Sequence, residues 1–198
     1  NIDPSTYAYP RGYIEMNGFT YFTANIGTAY RIYKTDGTEA GTIKVIVIPA
    51  NNSLDNNRII INATNDRIFF KSNINNSYGN NALWASDGTQ SGTVLLGNWS
   101  IAAPQFKKNI IHNNQLYFTV NSNTTGVTLM KSNGTQSGTV IVKGNFTTYE
   151  TFNSLHSCGN YVYFGVGAQG SYASEELWRT NGTTIGTVKL GEHPGGDL

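Results

Sequence analysis

The chain has 198 residues, 38% of them hydrophobic and 12% aromatic, enough for a well-buried domain and too apolar for a disordered one. Thirteen basic residues against twelve acidic ones leave a net charge of +1, with no basic cluster, which argues against nucleic acid as a partner and against a membrane surface. No stretch reaches the roughly 18 apolar residues of a membrane span, and no signal peptide opens the chain, so it reads as a soluble mature domain or an excised fragment with no direct membrane insertion.

In chain order, the first 50 residues predict four strands. Strand A covers about 12–16, the Asn17-Gly18 pair signals a tight hairpin into strand B at 20–24, strand C covers 30–35 and strand D 42–48. Strands C and D are joined by Tyr33-Lys-Thr-Asp-Gly-Thr-Glu-Ala-Gly-Thr42, and this phrase returns at Trp84–Thr93, Met130–Thr139 and Trp178–Thr187, a period of about 48 residues. An aromatic-Phe pair runs in phase 11 to 15 residues upstream, at Tyr21-Phe22, Phe69-Phe70, Tyr117-Phe118 and Tyr163-Phe164. Asn65-Asp66, Asn113-Asn114 and Gly159-Asn160 repeat the A–B turn, each built from residues that tolerate positive φ. Four short antiparallel strands at this period predict all-β architecture made of β-propeller blades, at about 10–50, 51–99, 100–145 and 146–192, within one segment spanning 1–198. Whole blades at both ends favour a piece of a longer array, with a four-blade ring as the alternative.

Within the phrase, the Asp or Asn side chain is expected to accept hydrogen bonds from the backbone ahead of it, and the following Gly to supply the left-handed turn. The pairs are Asp36-Gly37, Asp87-Gly88, Asn133-Gly134 and Asn181-Gly182. Exchange of Asp for Asn suits a turn former and not a catalytic acid or a tight metal ligand. No metal site or cofactor is therefore expected, with Ca²⁺ at these turns as the competing reading.

No catalytic motif emerges. His112, His156 and His193 share no metal spacing; His112 reads as a solvated turn residue and His156 as a satisfied or channel-facing one rather than a base. The acidic residues Glu15, Asp36, Asp55, Asp66 and Asp87 are scattered, with no pair recommending a two-carboxylate glycosidase. Cys158 is alone and reads as a small buried hydrophobe.

Asparagine is abundant, 25 residues, while charged residues are only 13%, giving a neutral hydrogen-bonding surface that suits carbohydrate or protein contact; an AT-rich genome explains the same bias. Eight Asn-x-Ser/Thr sequons follow largely from this composition. The B–C loops are long at 72–82 and 166–175, and carry Tyr78 and Tyr172 as candidate binding residues, with partnerless decoration as the competing reading. Trp84 and Trp178 share one position and are expected to pack between blades. Trp99 is expected in a D–A linker, as a core plug or, alternatively, as an exposed sugar-stacking platform.

The segments Glu176-Leu-Trp-Arg-Thr-Asn-Gly-Thr183 and Leu83-Trp-Ala-Ser-Asp-Gly-Thr89 resemble the Glu-Leu-Trp-x-x-Asp-Gly-Thr-x-x-Gly-Thr repeat of secreted bacterial proteins, although the first unit has Ile32-Tyr33 and the third Leu129-Met130. The resemblance implies a propeller-like fold and a secreted or surface-displayed bacterial protein, and brings no catalytic residues. The resulting expectation is a non-catalytic binding or scaffold module, related to adhesion, with a glycan or another surface protein as partner. A polysaccharide-acting enzyme and a passive spacer are the alternatives.

Overall fold

A computed structural model describes residues 9–26, 29–47, 60–73, 80–100, 108–122, 126–146, 150–168 and 175–193. They form sixteen strands in four sheets. The first sheet holds β1 (Arg11–Met16), β2 (Phe19–Ile26), β3 (Ala29–Thr35) and β4 (Ile43–Val47); the second holds β5 (Ile60–Ala63), β6 (Ile68–Asn73), β7 (Asn80–Ser86) and β8 (Thr93–Ser100). The third holds β9 (Asn109–His112), β10 (Gln115–Ser122), β11 (Gly126–Ser132) and β12 (Val140–Phe146); the fourth holds β13 (Glu150–Cys158), β14 (Tyr161–Ala168), β15 (Glu175–Thr180) and β16 (Val188–His193). Each sheet is an antiparallel meander in chain order, so all pairing lies within one repeat.

Turn chemistry sets these hairpins. Asn17 and Gly18 both have positive φ, 51° and 74°, as do Asn113 and Asn114, 48° and 56°, which matches the right-handed twist of two-residue hairpins. The second repeat departs from the expected pattern. Its A–B link is closed by Thr64, whose N–H donates to Arg67 O (2.8 Å) and whose hydroxyl accepts from Arg67 N–H (3.1 Å).

A register shift recurs at one place in every sheet, between Ile32 and Tyr33, Leu83 and Trp84, Leu129 and Met130, and Leu177 and Trp178. The extra residue lies on strand D, at Val45, Leu96, Val142 and Leu190, and such a bulge sharpens the local twist.

The chain divides into two compact units, Asn1–Ser100 with Gly134–Gln136, and Ile101–Asn133 with Ser137–Leu198. In the first, Met16, Tyr21, Ile32 and Ile46 pack on Ile60, Ile68 and Phe70 of the next sheet. In the second, Tyr117, Leu129, Val142 and Phe146 pack on Phe152, Leu155, Val162 and Phe164. The period-2 alternation of strands thus divides the aromatic-Phe pair. Tyr21 and Tyr117 face the following sheet, while Phe70 and Phe164 face the preceding one.

Candidate functional site

The repeat phrase folds into a self-satisfied turn. In the first sheet, Asp36 Oδ1 accepts from the Thr38 N–H (2.9 Å) and hydroxyl (2.7 Å). Thr38 Oγ1 then accepts from Gly41 N–H (2.9 Å), and the Thr42 hydroxyl donates to Thr38 O (2.6 Å). Asp87 with Thr89, Gly92 and Thr93 repeats the network, and Asn181 with Thr183, Gly186 and Thr187 repeats it with an amide oxygen. These hydrogen bonds favour the ionised carboxylates and hold both aspartates below the usual range. At Asp36 the Thr38 backbone N–H is the main cause; at Asp87 it is the Thr89 hydroxyl, with the Arg67 charge a lesser contributor.

Two features of this turn lie outside the sequence expectation. The Ser or Thr before the Asx is a working part: Thr35, Ser86, Ser132 and Thr180 bond the second phrase threonine across the hairpin at 2.7–2.9 Å. The second glycine is required by proximity, because a Cβ at Gly41, Gly92, Gly138 or Gly186 would collide with the Asx side chain of its own turn.

In the second and fourth blades the first glycine serves a seam between sheets. Gly88 has φ of +92° and lies directly beneath the Tyr21 hydroxyl, so any Cβ there would strike the phenol; Gly182 lies beneath the Tyr117 hydroxyl in the same way. Burial raises both phenol pKa values, and at Tyr21 the nearby Asp87 charge adds to the effect.

At the root of the fourth B–C loop, the Glu-Leu-Trp triplet has three separate roles. Glu176 Oε2 accepts the Trp178 indole N–H (2.8 Å), Leu177 lies on the opposite face, and Trp178 stacks on Phe164 beneath the Lys143 ammonium. Lys189 bridges Glu176 and Glu192, and these two hydrogen bonds raise its pKa, so it supplies donors rather than a base. Trp84 uses another partner, donating to Ser72 Oγ (2.9 Å) while stacking on Phe70. Both tryptophans pack against the core shared by neighbouring sheets.

Three expectations need correction. His112 is 4% exposed rather than solvated: its Nδ1 lies 2.8 Å from Ser157 Oγ on β13, its Nε2 lies 3.1 Å from Asn113 Nδ2, and its ring meets the Tyr117 ring edge-on. Cys158 is exposed, because β13 ends in a turn at the surface. Trp99 belongs to β8 rather than to a linker: the strand continues to Ser100 because β7 keeps pairing with it, Asn81 opposite Trp99. Tyr78 and Tyr172 lie outside the described residues, and His156 is exposed on β13. Among the described residues, no group of three His, Cys, Asp or Glu side chains converges.

No protein-family profile and no curated protein sequence matches the chain. Among solved structures it is similar to an oligogalacturonate lyase in complex with manganese, with a TM-score of 0.57 and 11% identity over 92% of this chain and 53% of that one. It is also similar to a nidogen/laminin complex, with a TM-score of 0.51 and 15% identity over 98% of this chain and 66% of that one. The chain thus spans about half the length of the first. Both are propeller proteins, and at these identities the likeness concerns the fold: the four sheets are propeller blades and the chain is an all-β propeller module.

Proposed function

We propose that this module is a non-catalytic binding or scaffold part of a secreted bacterial cell-surface protein, engaged in adhesion, with a glycan or another surface protein as its partner. One observation carries the reading. In the described turns the polar atoms of the repeat phrase are used to build the turn, with Asp and Asn in the same role. The most repeated polar residues are therefore framework, which leaves recognition to the loops that vary between blades. The resemblance to the secreted bacterial repeat supports the location, and a surface poor in charge and rich in Asn, Ser and Thr suits sugar or protein contact.

Glycan-array binding and pull-down from cell-surface extracts test this reading, comparing the native protein with the Tyr78→Ala/Tyr172→Ala double variant. Binding should fall markedly in the variant while its melting temperature stays unchanged. Equal binding by both would remove the two tyrosines. Absence of any ligand would favour a spacer, and release of sugar fragments from a polysaccharide would favour an enzyme.

A further inference from the structure

Three Asn-Gly pairs occur in the chain, Asn17-Gly18, Asn133-Gly134 and Asn181-Gly182. Asparagine is thermolabile, and most so before glycine, whose backbone nitrogen meets the preceding carboxamide with no Cβ in the way. Attack by that nitrogen closes a cyclic succinimide. The reaction needs a carboxamide that can turn onto the nitrogen, and a glycine N–H that base can reach.

The repeat phrase denies both. In the fourth blade Asn181 Oδ1 accepts from the Thr183 N–H (3.1 Å) and hydroxyl (2.8 Å), while the Gly182 N–H donates to Thr180 Oγ1 (2.9 Å). Carboxamide and nitrogen are thus each held on other partners, and Gly182 is buried beneath the Tyr117 hydroxyl. In the third blade the Asn133 carboxamide lies against Gly138, as that of Asn181 does against Gly186, and Gly134 is buried under the Arg67 side chain.

The hairpin tip of the first blade offers neither protection. Asn17 and Gly18 are both exposed, and nothing lies within 4 Å of a Cβ placed on Gly18. Met16 pairs with Phe19 across the turn, so the Gly18 N–H lies outside the ladder.

We propose that Asn17 is a site of spontaneous deamidation in the folded protein, whereas Asn133 and Asn181 are preserved by their turns. Base takes the Gly18 N–H proton and the nitrogen attacks Asn17 Cγ. The new C–N bond forms as the bond to the side-chain nitrogen breaks, and ammonia leaves. Water then opens the succinimide at either carbonyl, giving aspartate or isoaspartate. Aspartate leaves the backbone path unchanged. Isoaspartate adds a methylene to the main chain of a two-residue turn that lies between Met16 and Tyr21, both buried in the cluster shared with the second sheet, and so loosens that hairpin. The ligand of the loops has no part in this chemistry.

Incubation in mildly alkaline buffer, followed by peptide mapping with mass spectrometry, tests the proposal. In the folded chain Asn17 should convert about tenfold or more faster than Asn133 or Asn181, because those two react only when their turns open. In denaturing urea the three should approach one rate. Isoaspartyl methyltransferase should label the Asn17 peptide, and the isoaspartate-bearing fraction should melt below an Asn17→Asp variant. Equal rates in the folded chain, faster loss at Asn133 or Asn181, or an advantage of Asn17 that persists in urea would each overturn the assignment. Coincident melting of the isoaspartate fraction and Asn17→Asp would overturn the effect on the hairpin.

Discussion

The first two blades build their repeat turns on aspartate, Asp36 and Asp87, while the last two use asparagine, Asn133 and Asn181. The hydrogen bonds around Asp87 and Asn181 are nevertheless the same set, so the turn requires an acceptor oxygen and not a charge. The units also differ beneath the A–B turn. There the first places Met16 in an apolar cluster with Tyr21, and the second places His112 against Tyr117 with Ser157 as its partner. One seam geometry therefore accepts an apolar or a polar side chain, provided that the polar one is given a hydrogen bond.

The largest effects are expected where both units are strictest. Gly88→Val and Gly182→Val should each cost about 3 kcal/mol or more, combining positive-φ strain with a collision against a buried phenol. Gly37→Val has the same strain with no ring above the glycine and should cost about 1–2 kcal/mol. Denaturant unfolding of the three variants checks the order, and equal costs would remove the tyrosine contact from the account.

Exchanging the residues beneath the A–B turn comes next. Met16→His should destabilise by about 2–3 kcal/mol, because it buries an imidazole in an apolar cluster. His112→Met should cost about 1 kcal/mol, since Ser157 sits at the surface where water can replace the lost partner. Similar losses in both would mean that the seams are not environmentally distinct.

Acid should separate the units by a smaller amount. Asp36 and Asp87 have folded pKa values below their unfolded ones, so their contribution is complete above the unfolded value near pH 4 and is lost as pH falls through the folded value. Asn181 does not titrate. Thermal melts at neutral and strongly acidic pH should therefore show Asp87→Asn reducing the acid-induced loss and Asn181→Asp increasing it. Identical pH profiles for native and variant proteins would contradict this.

The strand plan was legible because the repeat phrase and the aromatic-Phe pair recur in phase at every repeat, even where the A–B turn of the second repeat closes differently. Asn17-Gly18 and Asn113-Asn114 took the positive φ their side chains permit, and the aromatic-Phe pairs lie on strand B in all four blades. Features that depend on distant neighbours were not legible. The exposure of His112 is decided by Ser157, 45 residues away, and that of Cys158 by the turn that follows it. Thr35, Ser86, Ser132 and Thr180 stand in view before each Asx, but their bond to a threonine seven positions ahead appears only once the hairpin closes. The candidate binding side was read from loop length and composition alone, and its two tyrosines lie outside the described residues.

The smallest expected effect bears most directly on the claim that the repeat phrase is framework. At neutral pH, Asp87→Asn should change unfolding stability by no more than about 0.5 kcal/mol, since Asn181 already makes the same bonds, whereas Asp87→Ala should cost about 1–2 kcal/mol by leaving the Thr89 donors without their acceptor. In denaturant titrations with and without calcium, the Asn variant should behave as the native chain does and the cation should affect neither protein. Loss of stability in Asp87→Asn equal to that in Asp87→Ala, or calcium-dependent stabilisation present in the native chain and absent from the Asn variant, would contradict it.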